Sequence, residues 1–485
     1  MTVGSDVYPY RFERTSSVAG LRERFSELAA GLESGTQASI AGRLRTVRTH
    51  RKLAFADLED ASGRIQLFAQ RDVLGEEAME EFARLGVGDV VGAEGEVVTT
   101  RRGELSLRVT RVTVLAPCLR SMPEKWHGMT EVESRYRQRY LDLLVNPAAR
   151  GVVTGRAAAN AAARRLLEER GFIEVETPIL HPLAGGAVAR PFQTHHNALD
   201  MDLFLRIAPE LYLKRLLIGG LERVYELNRS FRNEGVSSRH NPEYTMLEAY
   251  EAYADYHDTM SLVEDLVRAI AVAVTGSLQL DAPEGTIDLE GPFSRITMFE
   301  AVEETAGIDL RSAWDDPSDD RLLAAGAELG VALNPSWGRG KVMAEIFESC
   351  AEKALLQPTF VAGFPVEVSP LAKGHRSIEG FTEHADLVIG GVEMCPCYSE
   401  LNDPTEQRRR FEQQAQARAL GDEEATLPDE DFLEALSYGM PPAGGFGLGV
   451  DRLLTLLLGA SSIREVILFP TLRPTQQPSG GQVTR

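Results

Sequence analysis

The chain has 485 residues, 43% hydrophobic and 25% charged, enough to bury a large core in two or three domains. Its formal net charge of −21 excludes a generic nucleic-acid coat, so any polyanion partner must be met by a local basic patch. Four cysteines, at 118, 350, 395 and 397, exclude a disulfide framework, and without an apolar span or signal core the expectation is a cytoplasmic protein with no membrane partner.

Residues 18–32, "VAGLRERFSELAAGL", space their apolar positions at helical intervals and predict a leading helix. The segments "ASIAGRLRTVRTH", "LAFADLEDASGRIQLFAQ" and "DVVGAEGEVVTTRRGELSLRVTRVTVLAP" then alternate as short strands, with turns at "SG" and "RGE". About five strands with a helical interruption over 72–85 predict a small barrel of the oligonucleotide-binding kind. Arg43, Arg45, Arg48, Arg51 and Lys52 form its most basic segment, which suits nucleic-acid contact or a solvated strand face. Only six of the 51 basic residues are lysines; the arginine excess suits fixed phosphate contacts and equally a compositional bias of the genome.

The barrel with its leading helix is placed at 1–120 and a charged connector at 121–150. "GRAAANAAARRLLEERGF" then predicts a long helix closing at Gly171, followed by the strand-like "FIEVETPIL". From 151 to 475 strands and helices mix without regular alternation, which predicts an α+β domain around an antiparallel sheet flanked by helices. Residues of about 302–357 read as a helical insertion and 476–485 as a disordered tail, and no internal repeat is visible.

Chemistry concentrates in two blocks. In "NRSFRNEGVSSRHNPEYTMLEAYEAYADY", 228–256, the "FRNEG" spacing puts Arg232 and Glu234 on one strand face. A loop carrying Arg239, His240 and Asn241 follows, and the next strand brings Glu243, Tyr244, Glu248 and Tyr250. Such a hairpin makes a bed for a polyphosphate, with an arginine offsetting charge built up during nucleophilic attack. A surface hairpin laced with salt bridges is the plainer reading. In "PPAGGFGLGVDRLLTLLLG", 441–459, a glycine-rich turn lets backbone approach a ligand, and Arg452 opens an apolar helix. A cation there opposes the helix dipole, so a bound anion is its natural complement.

These residues carry a resemblance. "FRNEG…RHNPEYTMLE" is similar to motif 2 of the class II aminoacyl-tRNA synthetases, "GLGVDRLLTLLLG" to motif 3, and "RGFIEVETPIL" to motif 1, whose long helix forms the dimer interface in that family. "YRQRYLDLL", "APELYLKRLLIGGLERVYELNRSFRNEG" and "SPLAK" narrow the resemblance to the bacterial lysyl-tRNA synthetases. The resemblance implies an oligonucleotide-binding barrel that reads the anticodon, a class II catalytic domain and a homodimer. It implies ATP and L-lysine as substrates, Mg²⁺ as cofactor and tRNA(Lys) as acceptor.

Residue by residue, the resemblance gives Phe55, Gln66 and Glu104 to the central anticodon base, with Phe55 stacking. A simple place for Phe55 in the barrel core is the alternative. Arg232 and Arg452 would be catalytic, Arg232 gripping the α-phosphate and the substrate carboxylate. Glu234, His240, Asn241, Tyr244 and Glu393 would hold ATP with them. Asp386 and Glu393 match the metal-binding carboxylates, Asp386 being shorter than the family's usual glutamate. Gly186 and Glu210 would receive the α-amino group, while Tyr250 and Glu400, with Glu248 and Tyr398 close by, would bind the ε-ammonium. No side-chain nucleophile is required, since positioning and charge neutralisation carry the rate.

One stretch departs from the pattern. Where the family usually reads "ELxNGFSELND", this chain reads "EMCPCYSELND": Pro396 replaces an asparagine expected at the substrate carboxylate, flanked by Cys395 and Cys397. His384 stands where the family tends to have arginine. A CxC without partners cannot complete a zinc site. That leaves two small apolar wall residues, a redox pair, or a modified amino-acid specificity. Four functions remain open on this reading: a lysine–tRNA ligase in translation, a paralogue activating lysine or a cationic analogue, a ligase lysylating a protein or small molecule, and a non-catalytic regulator. Ligases of the third kind lack the barrel, and intact Arg232, Glu234 and Arg452 count against the fourth.

Overall fold

The alternating N-terminal segments form strands β1 (Glu33–His50), β2 (Leu53–Asp60), β3 (Gly63–Gln70), β4 (Val90–Thr99) and β5 (Leu105–Ala116), which close into a barrel in the order β1-β2-β3-β5-β4. Alternation sends Ile40, Leu44, Ala56, Leu58, Ile65, Leu67, Val91 and Leu107 inward to one apolar core. In this computed structural model the described residues are 8–122, 129, 131–186, 189–316, 318, 320–334, 337–419 and 427–474, so the expected tail over 476–485 lies outside them. The chain divides into two units, residues 1–128 and 129–485.

Two helical expectations in the first unit are corrected. The leading helix covers Val18–Arg24 rather than 18–32: it ends at Phe25, and Gly31, at φ +82°, then turns the chain to pair with Thr99 and enter β1. The interruption is two helices, Arg71–Leu74 and Glu76–Ala83, split at Gly75 with φ +88°. Phe82 of the second joins the barrel core.

The second unit begins with two short helices, Val132–Arg137 and Arg139–Val145, and a long one, Pro147–Glu169, opened by proline at its first turn and closed by Gly171 at φ +81°. The motif-like "FIEVETPIL" yields only the short β6 (Ile173–Glu174) and, at its last residue, the start of the next strand. Next come β7 (Leu180–His181), β8 (Gln193–His196) and β9 (Met201–Leu205), which form a small separate sheet. The hairpin β10 (Arg223–Phe231) and β11 (Glu243–Ala252) follows, then the ribbon β12 (Gln279–Ala282) and β13 (Gly285–Asp288). Last come β14 (Ser294–Thr297), β15 (Thr359–Ala362), β16 (His384–Ile389), β17 (Val392–Ser399) and β18 (Ala443–Gly449).

The main sheet has the order β14-β15-β16-β17-β18-β11-β10-β6, antiparallel except at its two outermost pairings. Its apolar face packs on the helices Pro147–Glu169 and Tyr256–Thr275 through Leu247, Ala249, Phe446, Leu448, Val263 and Leu266. The segment between β14 and β15 is helical and builds a core of its own around Met298, Val302, Met343 and Phe347. No described helix is long and apolar enough to cross a membrane.

Candidate active site

The sequence "EYTMLEAYEA" becomes β11, and its period of two sorts side chains onto opposite faces. Leu247 and Ala249 enter the main core, while Tyr244, Met246, Glu248 and Tyr250 share the other face. Glu226 of β10 lies across the ladder from Glu248. It is held by Arg206 Nη1 at 2.6 Å and the Thr177 hydroxyl at 2.6 Å. The apolar half of the alternation builds the fold, and the polar half is left for a ligand.

Three sequence expectations change here. Arg232 and Glu234 do not share a strand face, because β10 ends at Phe231. The Arg232 amide still donates to the Pro242 carbonyl at 2.9 Å, but that of Asn233 turns to Arg190, so the ladder stops. "GFGLG" is not a turn but part of β18, threaded between β17 and β11. Its glycines are needed for close approach: a Cβ on Gly445 would overlap the Glu400 carboxylate and the Tyr250 ring. Third, Cys395 and Cys397 do not form a wall of the site. Both are unpaired, buried thiols in the main core, on the face opposite Pro396 and Tyr398. A bulge at Met394, between the Leu387–Cys395 and Val388–Glu393 pairs, brings Glu393 to the face carrying Pro396.

Two cavities meet at that face. The larger, about 410 Å³, is lined by Gly186, Glu210, Asp386, Tyr398 and Glu400, among others. The smaller, about 120 Å³, is lined by Glu234, His240, Asn241, Tyr244 and Arg452. Arg232, Glu393 and Pro396 border both, so a group held in one cavity meets a group held in the other beside the Arg232 guanidinium. Glu248 and Tyr250 line neither; they stand enclosed behind the larger one, joined by a 3.2 Å hydrogen bond from the tyrosine hydroxyl.

In the smaller cavity Arg452 donates to the Glu393 carbonyl at 2.9 Å and lies 3.4 Å from His240 Nε2. Burial and the Arg452 charge push the His240 pKa down, which favours a neutral ring that accepts at Nε2. Arg232 lies over the Tyr244 ring, 5.4 Å from its centroid. Asp451, which sequence reasoning missed, anchors this end: its carboxylate accepts the Thr245 amide at 2.7 Å and pairs with Arg156 of the long helix. Gly186 is buried at φ +88°, a conformation glycine adopts freely, and a Cβ there would lie 3.3 Å from the Ala208 carbonyl.

Charge in the larger cavity is graded. At one end Glu210 and Glu400 share the buried Lys214, a residue the sequence did not single out. Burial pushes Glu400 up to about 7 against the pull of Lys214, and burial with nearby Glu210 and Glu226 raises Glu248 well above the carboxylate range. At the other end His384, stacked between Phe364 and Tyr398, bonds Ser369 and Asp386, both at 2.8 Å. Glu348 and Glu352 beside it are pushed up to about 7 by burial and by acidic neighbours that include Asp386 and Glu393.

Buried polar atoms without a protein partner gather at this face: Arg232 Nε, Asn241 Oδ1, the Tyr244 hydroxyl, Glu248 Oε1 and Glu400 Oε1. Groups of this kind are met by ligand atoms or ordered water.

In the first unit, Phe55 is half-exposed on the barrel's outer face rather than in its core, and it stacks on Phe68 at 5.1 Å and 11°. Phe68 was not legible as a partner before the register was known. Gln66, two residues from Phe68, accepts from the Ser106 hydroxyl at 3.1 Å. Glu104 is exposed just before β5, within 3.5 Å of Arg22. Arg48 lies across the ladder from Phe55, whereas Arg43 and Arg45 bond Gly88 and Glu59.

Residues 131–473 match the family described as tRNA synthetases class II (D, K and N), and 38–115 match the OB-fold nucleic acid binding domain. The chain is 50% identical to the lysine–tRNA ligase of Moorella thermoacetica over 98% of its length and 95% of the relative's. Identity is 50% to that of Syntrophomonas wolfei, covering 97% and 94%, and 49% to that of Thermosynechococcus vestitus, covering 99% and 95%.

Proposed function

The chain belongs to the class II tRNA synthetases, among the lysine–tRNA ligases, and from that premise we propose how its own residues activate L-lysine with ATP and pass it to tRNA(Lys). One observation carries the reading. A carboxyl oxygen on the lining of the larger cavity, Glu400 Oε1, is buried with no hydrogen-bond donor to meet it. A substrate with a distal ammonium supplies the missing donor; an uncharged side chain leaves that oxygen unsatisfied.

Lysine lies in the larger cavity with its distal nitrogen toward Glu400 and Tyr250, its α-amino group at Glu210 and Gly186, and its carboxylate at Arg232. ATP lies in the smaller cavity, its base on Tyr244 and its phosphates among Arg232, His240 and Arg452, with Glu234 and Asn241 completing the nucleotide bed. An oxygen of the lysine carboxylate attacks the α-phosphorus, the bond to the bridging oxygen breaks, and pyrophosphate leaves. The terminal ribose hydroxyl of tRNA then attacks the lysyl carbonyl, loses its proton and releases AMP. Arg232 offsets the charge that gathers on the α-phosphate, at the border shared by the two cavities.

Asp386 and Glu393 suit Mg²⁺. Their carboxylate oxygens, on the lining of the larger cavity, are the hard donors that would hold the ion. It would neutralise phosphate charge there.

A homodimer follows from the family and is supported by exposed Ile173, Ile179, Leu180 and Leu199 on and after the motif 1 segment. Sedimentation of the purified protein should give twice the single-chain mass; a single-chain mass would contradict the dimer. We take the cytoplasm as its compartment, a reading that a role in translation supports. Phe55 and Phe68 offer an aromatic platform for an unstacked anticodon base, with Gln66 and Glu104 for its edge.

The functional test is ATP–pyrophosphate exchange with lysine, ornithine and norleucine, followed by charging of bulk tRNA. Exchange should follow lysine far ahead of norleucine, and charging should follow exchange; equal exchange with norleucine overturns the reading.

A further inference from the structure

Lys214 is fully enclosed in the helix Glu210–Ile218. Its Nζ lies 2.7 Å from Glu210 Oε1, 2.6 Å from Glu400 Oε2 and 3.3 Å from the Leu371 carbonyl. Three acceptors match the three N–H donors of an ammonium, so this cation is fully satisfied within the protein. Glu210 comes from one turn earlier on the same helix, whereas Glu400 arrives from beyond the end of β17. Lys214 lines neither cavity and touches no reacting group. A buried ion pair contributes little to stability compared with an apolar side chain of the same volume, so packing alone does not call for an ammonium here.

What the ammonium changes is Glu400. With Oε2 taken by Lys214, the carboxylate plane is fixed and Oε1 is left without a partner. Gly445 lets that oxygen lie beside the Tyr250 ring, where a side chain would block it.

We propose that Lys214 is a positioning residue of the side-chain selector: its ammonium clamps one oxygen of Glu400 so that the other is presented to the distal cation of the amino acid. The inference rests on the assignment of Glu400 to that cation. The titratable groups around Glu400 are Lys214 and Glu210 from the helix, Glu248 and Tyr250 from β11, and Tyr398 from β17. Of these, Lys214 bonds Glu400 directly as a cation and favours its charged form.

Lysine-dependent pyrophosphate exchange is measured for the wild type, Lys214→Met, Glu400→Gln and the double variant, from about pH 6 to about pH 9. Lys214→Met should raise KM for lysine on the order of 100-fold while KM for ATP stays within about twofold. The pH at which the lysine KM levels off should move up by about one unit, because Glu400 has lost its cation. An unchanged lysine KM and pH profile overturns the proposal, as do parallel losses for ATP and lysine. Where Lys214→Met yields no folded protein, the double variant, which removes both charges, decides. Its lysine KM should equal that of Glu400→Gln alone, and a further loss of about tenfold shows that Lys214 acts by another route. A wild type without lysine-dependent exchange removes the functional reading itself, and this inference with it.

Discussion

At the residue scale, the proposed selection rests on a carboxyl oxygen buried without a donor. Glu400 with Oε1 open is costly in the free protein, and a distal ammonium relieves that cost. Glu400→Gln keeps the shape and removes the charge; KM for lysine should rise on the order of 100-fold while KM for ATP holds, and equal losses would misplace the cation site. The pH dependence has a definite sign. Because burial raises Glu400 to about 7, the carboxyl is neutral below that pH and charged above it, so the lysine KM should fall as pH rises through about 7. Glu400→Gln should flatten that dependence. Glu400 and Tyr250 were singled out in the sequence because a family pattern marked them, and the structure brings them together. Lys214 was not, since a lysine four residues after a glutamate reads as a helix surface pair, and its burial exists only in three dimensions. The two cysteines were misread for a related reason: adjacent to the pocket in sequence, they point the other way once β17 takes its period of two.

At the element scale, the site is made by paired strands that keep one face apolar. That "EYTMLEAYEA" is a strand was legible, but the sequence reading grouped Glu243 with Tyr244, Glu248 and Tyr250, whereas a period of two puts Glu243 on the opposite face. The ends of elements were not legible. Arg232 leaves the ladder because Asn233 finds Arg190, a long-range partner that local spacing does not reveal. The glycine-rich segment was read as a turn because glycine is frequent in turns, yet in β18 it serves close packing between Glu400 and Tyr250. Gly445→Ala puts a methyl group into that contact. It should reduce lysine-dependent exchange at least tenfold and lower stability by about 1–3 kcal/mol, read by the thermal midpoint. Full activity in that variant would show that the strands can move apart and that the fit is not tight.

At the scale of the whole molecule, composition argued against RNA binding through overall charge, so the proposed contact is local. The barrel carries a stacked aromatic pair on its outer face, within a chain of net charge −21. The paired variant Phe55→Ala/Phe68→Ala should lower tRNA charging by about tenfold or more while lysine-dependent exchange, which needs no RNA, keeps its rate. A fall in both would show that the barrel supports the second unit's fold rather than reading RNA. The most direct test of the central claim is a crystal structure with lysine and a non-hydrolysable ATP analogue. The distal nitrogen should lie within hydrogen-bond reach of Glu400 Oε1 and Tyr250, with the carboxylate and the α-phosphate meeting at Arg232. A distal nitrogen bound elsewhere, with Glu400 still holding only Lys214, would contradict it.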